Sequence, residues 1–152
     1  MNKDGKYTAY CGLYCGDCIP FNQKLFDAAE RLKEQLEQRK FDEYARLKSK
    51  KNEVFSNYEV FVKVLSGLIE LRCTKTCVNN GGKPDCSIRN CVRKKGIKGC
   101  WQCSGFEICE LLEQLSAYHG DTPQNNLQLI KEYGVENWAD KRGRHYVWNN
   151  TK

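Results

Sequence analysis

The sequence lacks the long hydrophobic segments that mark secretion or membrane insertion. No stretch of this 152-residue chain approaches the roughly 20 consecutive apolar residues of a membrane-spanning helix. Residues 1–7 contain no apolar run of the about 7–15 residues that a signal peptide needs. We therefore expect a cytoplasmic protein with no membrane partner, in a compartment that keeps thiols reduced.

The chain is also poor in the residues that build common catalytic sites. It has only two histidines, His119 and His145, and no Ser/His/Asp arrangement is visible around either of them. A glycine-rich phosphate-binding loop and a carboxylate pair suited to acid–base catalysis are both missing. The sequence therefore identifies no catalytic residue, and it favours a binding or structural role over an enzyme.

Strand-forming patterns are scarce, whereas apolar residues recur at helical spacing. Leu25, Ala29, Leu32 and Leu36 step by four, three and four residues, which places them on one helical face. No alternation of strands and helices is visible. The sequence therefore predicts a mainly α fold, a single cysteine-rich domain over residues 1–152 with about five or six helices tied by metal-binding cysteine loops.

Local signals mark several helix ends. Ser56 begins a Ser-x-x-Glu capping box, which predicts a helix start. Residues 87–95 form a short helical pattern that Gly96 ends. Phe106 is predicted to open a further helix with Ile108 on its apolar face.

Cysteine is the residue present in excess, with ten copies in two groups. A cysteine-free stretch of helical pattern, residues 19–72, separates the groups. Clustered cysteines in a reducing compartment are metal ligands more often than disulfides. The first group is Cys11, Cys15 and Cys18, and the second is Cys73, Cys77, Cys86, Cys91, Cys100, Cys103 and Cys109.

The spacing of the cysteines predicts zinc. Cys15 with Cys18, and Cys100 with Cys103, form two-residue knuckles, and zinc prefers four thiolates in a tetrahedron. We predict about two Zn²⁺ ions per chain with these four cysteines as principal ligands, while spacing alone leaves open which thiols share an ion. The predicted metal ligands are Cys11, Cys15, Cys18, Cys77, Cys86, Cys91, Cys100, Cys103 and Cys109.

An iron–sulfur or thiol-redox protein is the alternative to structural zinc. Cys11, Cys15 and Cys18 have the CxxxCxxC spacing with which radical S-adenosylmethionine enzymes hold a [4Fe–4S] cluster. Cys100 and Cys103 could form a thioredoxin-like dithiol. Both alternatives need strands alternating with helices, which the sequence does not show.

The net charge of the chain indicates whether its partner is a protein or a nucleic acid. The formal net charge is +6, but eight thiolates holding two Zn²⁺ ions would lower it to about +2. We therefore expect a protein partner and do not favour nucleic acid. Near the C-terminus, the large aromatic residues are expected to pack on the body of the protein rather than stack on bases. The aromatic and basic residues of this tail are Trp138, Lys141, Arg142, Arg144, His145, Tyr146 and Trp148.

Two segments resemble a known family of cysteine-rich proteins. Residues 10–18 read YCGLYCGDC, and residues 86–109 combine CSIRNC with KKGIKGCWQC. In these motifs the sequence is similar to family 3795 of the domains of unknown function, from Tyr10 to about Leu115. The resemblance implies a cytoplasmic bacterial or archaeal protein that binds zinc, and it supplies no activity. Some relatives carry a further CxxC pair where this chain has residues 145–150, so that pair is absent here.

Overall fold

The computed structural model of the protein describes residues 3–143. These residues form eight α-helices joined by single-turn 3-10 helices, and within them no β-strand is present beyond one isolated bridge between Thr8 and Tyr14. The predicted mainly α fold is confirmed, with more helices than the five or six expected. The helices are α1 (Lys3–Tyr7), α2 (Gln23–Gln38), α3 (Phe41–Lys48), α4 (Tyr58–Glu70), α5 (Ser87–Lys94), α6 (Glu110–Glu113), α7 (Ser116–His119) and α8 (Thr122–Tyr133).

One extra helix is α1, and another arises because the region after Phe106 is divided. A 3-10 turn, Phe106–Ile108, is followed by the short helices α6 and α7 rather than by one continuous helix. Ile108 is 88% exposed, so its predicted place on an apolar face is wrong. None of the described helices combines the length and apolar composition that crossing a bilayer requires.

The chain forms two compact units. Unit 1 comprises, among the described residues, 3–18 and 75–143, and unit 2 is Ile19–Thr74. Unit 1 holds nine of the ten cysteines, which are the nine predicted ligands, and unit 2 holds Cys73. A single domain over residues 1–152 stays a prediction.

The core of unit 1 is built around Trp138. Its indole is fully buried, meets Tyr14 edge-on with ring centroids 5.8 Å apart, and donates from Nε1 to Thr8 Oγ1 at 2.9 Å. Leu127 and Ile130 of α8 pack into the same core. The predicted packing of Trp138 against the body is therefore confirmed. Outside the described residues lie Arg144, His145, Tyr146 and Trp148.

Unit 2 consists of α2, α3 and α4 around a small core. Its buried apolar residues are Phe26, Ala29, Ala45 and Leu65. Beyond α4, the Arg72 guanidinium forms ion pairs with carboxylates of α2 at 2.6 and 2.8 Å. The core of this unit is thin, and polar contacts supplement it.

The predicted capping box at Ser56 is wrong. The side chain of Asn52 accepts a hydrogen bond from the Val54 amide at 3.2 Å, and a 3-10 turn, Glu53–Asn57, follows. Helix α4 begins only at Tyr58. Ser56 therefore lies within an earlier turn, because Asn52 takes the capping role first.

Loss of the Trp138 hydrogen bond is expected to destabilise unit 1. The substitution Trp138→Phe keeps a large ring but removes the donor to Thr8, which should lower the free energy of unfolding by about 1–3 kcal/mol. Urea denaturation followed by circular dichroism measures the change. The matched control is Trp101→Phe, on a half-buried ring, and an equal loss in both variants would contradict a specific role for the buried bond.

Candidate metal centre

Single 3-10 turns organise the cysteine knuckles. Cys15, Cys77 and Cys100 each begin such a turn. The amide of Cys18 donates to the carbonyl of Cys15 at 3.2 Å, and the amide of Cys103 donates to that of Cys100 at 2.9 Å. Each two-residue knuckle therefore carries its two cysteines at the two ends of one tight turn.

Four cysteines line one small cavity in unit 1. Its volume is about 20 Å³, and most of its other walls are apolar. Space of this size suits one water molecule or one metal ion. Four predicted ligands from three successive segments therefore line the same cavity. They are Cys91 on α5, Cys100 and Cys103 on their shared turn, and Cys109 before α6.

The thiols of this cavity group, Cys91, Cys100, Cys103 and Cys109, differ in their electrostatic environments. Burial, and to a smaller extent negative charge on neighbouring cysteines, raises the pKa of the Cys100 thiol to about 12. The backbone amide of Gly105 and then the Lys95 ammonium lower the pKa of Cys103. Lys95 Nζ donates to Cys103 Sγ at 3.4 Å. A cation thus already lies beside the more accessible thiol of the knuckle.

A second group of cysteines, Cys11, Cys15, Cys77 and Cys86, lies beside the cavity group in unit 1, since charge on Cys11 acts on Cys100. Desolvation, with a smaller effect of charge on nearby Cys86 and Cys15, raises the pKa of the Cys11 thiol to about 12. A hydrogen bond with Cys77 lowers the pKa of Cys15 to about 7. Cys11 therefore lies near both Cys86 and Cys15, and Cys15 in turn contacts Cys77.

The first cysteine loop is held in place by α8 and by the Cys100 turn. Gly12 has a φ of +85°, and a Cβ there would lie 2.9 Å from Cγ of Leu127. Asn126 Nδ2 donates to the Gly12 carbonyl at 2.9 Å, and the Cys100 amide donates to the Tyr10 carbonyl at 2.8 Å. A side chain at Gly12 would therefore separate the loop from α8.

Arg89 secures the loop of residues 78–85. Its guanidinium is buried and donates to the carbonyl oxygens of Gly81 at 2.9 Å, Lys83 at 2.6 Å and Pro84 at 2.7 Å. The loop connects two cysteines of the second group, so Arg89 helps to fix their separation. Sequence reasoning missed this residue, because an arginine in a basic helical run has the pattern of an exposed side chain.

The two remaining cysteines are Cys18 and Cys73. Cys18 caps the end of the first knuckle turn in unit 1. In unit 2, the Cys73 amide donates to the Pro20 carbonyl at 2.7 Å, and its carbonyl accepts from Gln23 Nε2 at 2.9 Å. The cavity that Cys100 and Cys103 line is not lined by Cys15 or Cys18.

The donor set fits zinc in its chemistry, because four thiols around a small apolar cavity match a structural Cys₄ site. Within residues 3–143, however, no three Cys, His, Asp or Glu side chains converge closely enough to hold one ion. Coordination would require the thiols to rotate toward a common point. Zinc binding, the ligand set and the number of ions stay predictions.

Two basic residues of the tail make contacts with other residues of unit 1. Arg142 forms a bidentate ion pair with Asp17, at 2.6 and 2.7 Å, and its guanidinium lies 4.2 Å from the ring centroid of Tyr14. The ammonium of Lys141 lies 5.0 Å from the ring centroid of Tyr133. Both residues thereby anchor the start of the tail on the body, which leaves them less available for phosphate contacts.

Comparison with known proteins agrees with the sequence motifs. A family model described as "Protein of unknown function (DUF3795)" matches residues 7–114, a region that includes all ten cysteines. Comparisons with curated proteins and with solved structures found no match. The match covers well over half of the chain and confirms the resemblance seen in residues 10–18 and 86–109. The chain therefore belongs to the DUF3795 family.

Proposed function

We propose that this protein is a zinc-binding module in which the metal is structural. The supporting observation is the small cavity lined by Cys91, Cys100, Cys103 and Cys109. Zinc bound there supplies the positive charge that stabilises four thiolates in an apolar environment. Four protein ligands complete a tetrahedron and leave no open position for a substrate, so the role is not catalytic.

The second cysteine group is the proposed second site. Its support is the effect of charge on Cys86 and Cys15 on the pKa of Cys11, together with the hydrogen bond between Cys15 and Cys77. Two sites of four thiols leave Cys18 and Cys73 as additional residues. The module would hold about two Zn²⁺ ions per chain.

The proposed cellular role is docking of a protein partner in the cytoplasm, where the thiols stay reduced. Zinc thiolates consume most of the formal charge of +6, which weakens the attraction for nucleic acid. Arg142 and Lys141 make the intramolecular contacts described above. A protein partner is therefore favoured over nucleic acid.

Metal content tests the proposed function directly. Protein purified without added metal is expected to be colourless and to contain about two zinc ions per chain by elemental analysis. Replacement by Co²⁺ should give the visible absorption of tetrahedral thiolate coordination. A brown protein with iron and acid-labile sulfide would instead establish the iron–sulfur alternative, and a folded protein without bound metal would overturn both.

A further inference from the structure

Unit 2 carries most of the exposed apolar surface in the described part of the chain. Thirteen large hydrophobic residues are exposed among the described residues of the whole chain, and ten of them belong to Ile19–Thr74. The buried apolar core of this unit comprises only Phe26, Ala29, Ala45 and Leu65. A large apolar surface on a small unit is characteristic of an interaction site.

Part of this surface is concave, and we call it the apolar trough. It encloses about 420 Å³ between α2, α3, α4 and the 3-10 turn before α4. Phe41 forms one wall, with its ring centroid 5.2 Å from that of Tyr58 and 6.4 Å from that of Phe55. Packed aromatic rings give the trough a preformed shape. Its apolar lining is Leu32, Leu36, Phe41, Val54, Phe55 and Phe61.

An acidic hollow of about 350 Å³ continues the trough, since Phe55 and Tyr58 line both. Three carboxylates line the hollow against a single guanidinium, which leaves it net negative. Among the described residues, none of these three carboxylates forms an ion pair. Their charge is therefore available to a ligand. The charged residues of the hollow are Asp42, Glu43, Glu59 and Arg46.

We infer that the trough and the hollow together bind an amphipathic basic helix of a partner protein. Apolar side chains at helical spacing on that helix would fill the trough, and flanking lysine or arginine side chains would reach the hollow. The surface lies wholly in unit 2, which contains none of the proposed zinc ligands. The inference therefore stands apart from the metal proposal.

Other occupants fit this surface less well. In a symmetric dimer the same patch faces itself, so two troughs would leave a gap between them and two acidic hollows would repel each other. Nucleic acid and anionic membrane carry the same sign of charge as the hollow, so both would be repelled. A basic helix complements both the shape and the charge.

Designed peptides test the inference on the full-length protein. Three labelled peptides of about 14 residues carry Leu, Phe or Trp at the i, i+3, i+4 and i+7 positions and lysine elsewhere. Matched peptides have glutamate in place of every lysine. Fluorescence anisotropy is expected to show micromolar binding, about 1–50 µM, for at least one basic peptide and at least about tenfold weaker binding for its acidic counterpart.

Two variants with matched chemistry locate the binding surface. Val54→Ser removes an apolar side chain that lines the trough and is 64% exposed. Val60→Ser makes the same change at a position that is 58% exposed and does not line the trough. We expect Val54→Ser to weaken binding about tenfold, a loss typical of an interface anchor. Binding by Val60→Ser should be unchanged.

The charge of the hollow is tested by the triple variant Asp42→Asn, Glu43→Gln and Glu59→Gln. It should weaken binding of the basic peptide about tenfold at low salt, and less at about 150 mM salt, where exposed charges are screened. Circular dichroism checks that α3, which has two of these residues in its first turn, remains folded.

Four results would overturn the inference. One is the absence of binding by every basic peptide below about 100 µM. The second is equal binding of the basic and acidic peptides, and the third is an equal effect of Val54→Ser and Val60→Ser. The fourth is a dimer in sedimentation experiments that Val54→Ser dissociates and Val60→Ser does not, because this would assign the trough to a second copy of the chain.

Discussion

Removal of the metal by a high-affinity chelator is expected to unfold unit 1 while unit 2 keeps part of its helical structure. A structural zinc site contributes roughly 10–16 kcal/mol of apparent binding free energy near neutral pH. The whole free energy of unfolding of an ordinary domain is only about 5–15 kcal/mol. Loss of zinc should therefore shift the cysteine-rich unit to its unfolded state.

The tryptophans make this prediction measurable for each unit. Trp101 and Trp138 lie in unit 1, and Ile19–Thr74 contains no tryptophan. The near-ultraviolet signal of the indoles should therefore disappear when the metal is removed. The helices of unit 2, with 16, 8 and 13 residues, supply about half of the α-helix in residues 3–143, so up to about half of the ellipticity at 222 nm should remain.

Metal specificity provides the control for the chelation experiment. Addition of Zn²⁺ should restore the indole signal, while Mg²⁺ should not, because magnesium prefers oxygen ligands. A protein that elemental analysis shows to be free of metal, yet which keeps its near-ultraviolet spectrum and its melting temperature, would contradict a structural role for zinc.

The sequence correctly predicted helix α5, because the residues that set its two ends lie within or next to the helix. Helix α5 begins at Ser87 and ends at Lys94, with Gly96 at a φ of +63° beyond it. Ile88 and Val92, four residues apart, are both buried on one face of this helix. Spacing and a left-handed glycine suffice here, because both act within a few residues of the chain.

The predictions for Ser56 and Ile108 failed because a different turn formed within a few residues of the predicted helix start. The Asn52 side chain caps the 3-10 turn before α4, and the helix therefore begins after Ser56. Ile108 is exposed because the chain turns there in a 3-10 helix and starts α6 only at Glu110. A single-sequence pattern cannot rank such alternatives, since their free energies differ by little.

The grouping of the cysteines could not be read from their spacing. Spacing identifies knuckles such as Cys15 with Cys18, but the hydrogen bond between Cys15 and Cys77 joins residues far apart in the chain. Similarly, the packing of α5 and α6 brings Cys91 and Cys109 to the cavity that the Cys100 knuckle lines. Such contacts depend on the tertiary fold, so sequence reasoning named the ligand candidates without their partners.

The substitution Cys100→Ser is expected to disrupt the metal site of the cavity group. Cys100 is buried and lines the cavity with three other cysteines. Its loss would leave three thiolates without a complete zinc site, and an uncompensated buried charge costs about 3–5 kcal/mol. The variant is expected to lose about one zinc ion per chain and to unfold unit 1 at a markedly lower temperature. Elemental analysis and thermal denaturation measure both effects.

Two further serine variants separate the sites. Cys73→Ser is the matched control, because Cys73 lies in unit 2 and is not one of the nine predicted ligands; it should keep both zinc ions. Cys86→Ser, in the second group, should lose about one ion, and the double variant Cys86→Ser/Cys100→Ser should lose both. These additive losses follow from two independent sites.

The pattern of losses also distinguishes two sites from one merged cluster. Charge on Cys11 raises the pKa of Cys100, so the two groups are neighbours. If one cluster held both ions through shared thiolates, either single variant would release both ions and the double variant would add nothing. Cys100→Ser protein with two zinc ions and an unchanged melting temperature would remove the cavity group from the metal assignment altogether. The expected result, one ion lost with each single variant and two with the double, requires the two groups to bind zinc separately.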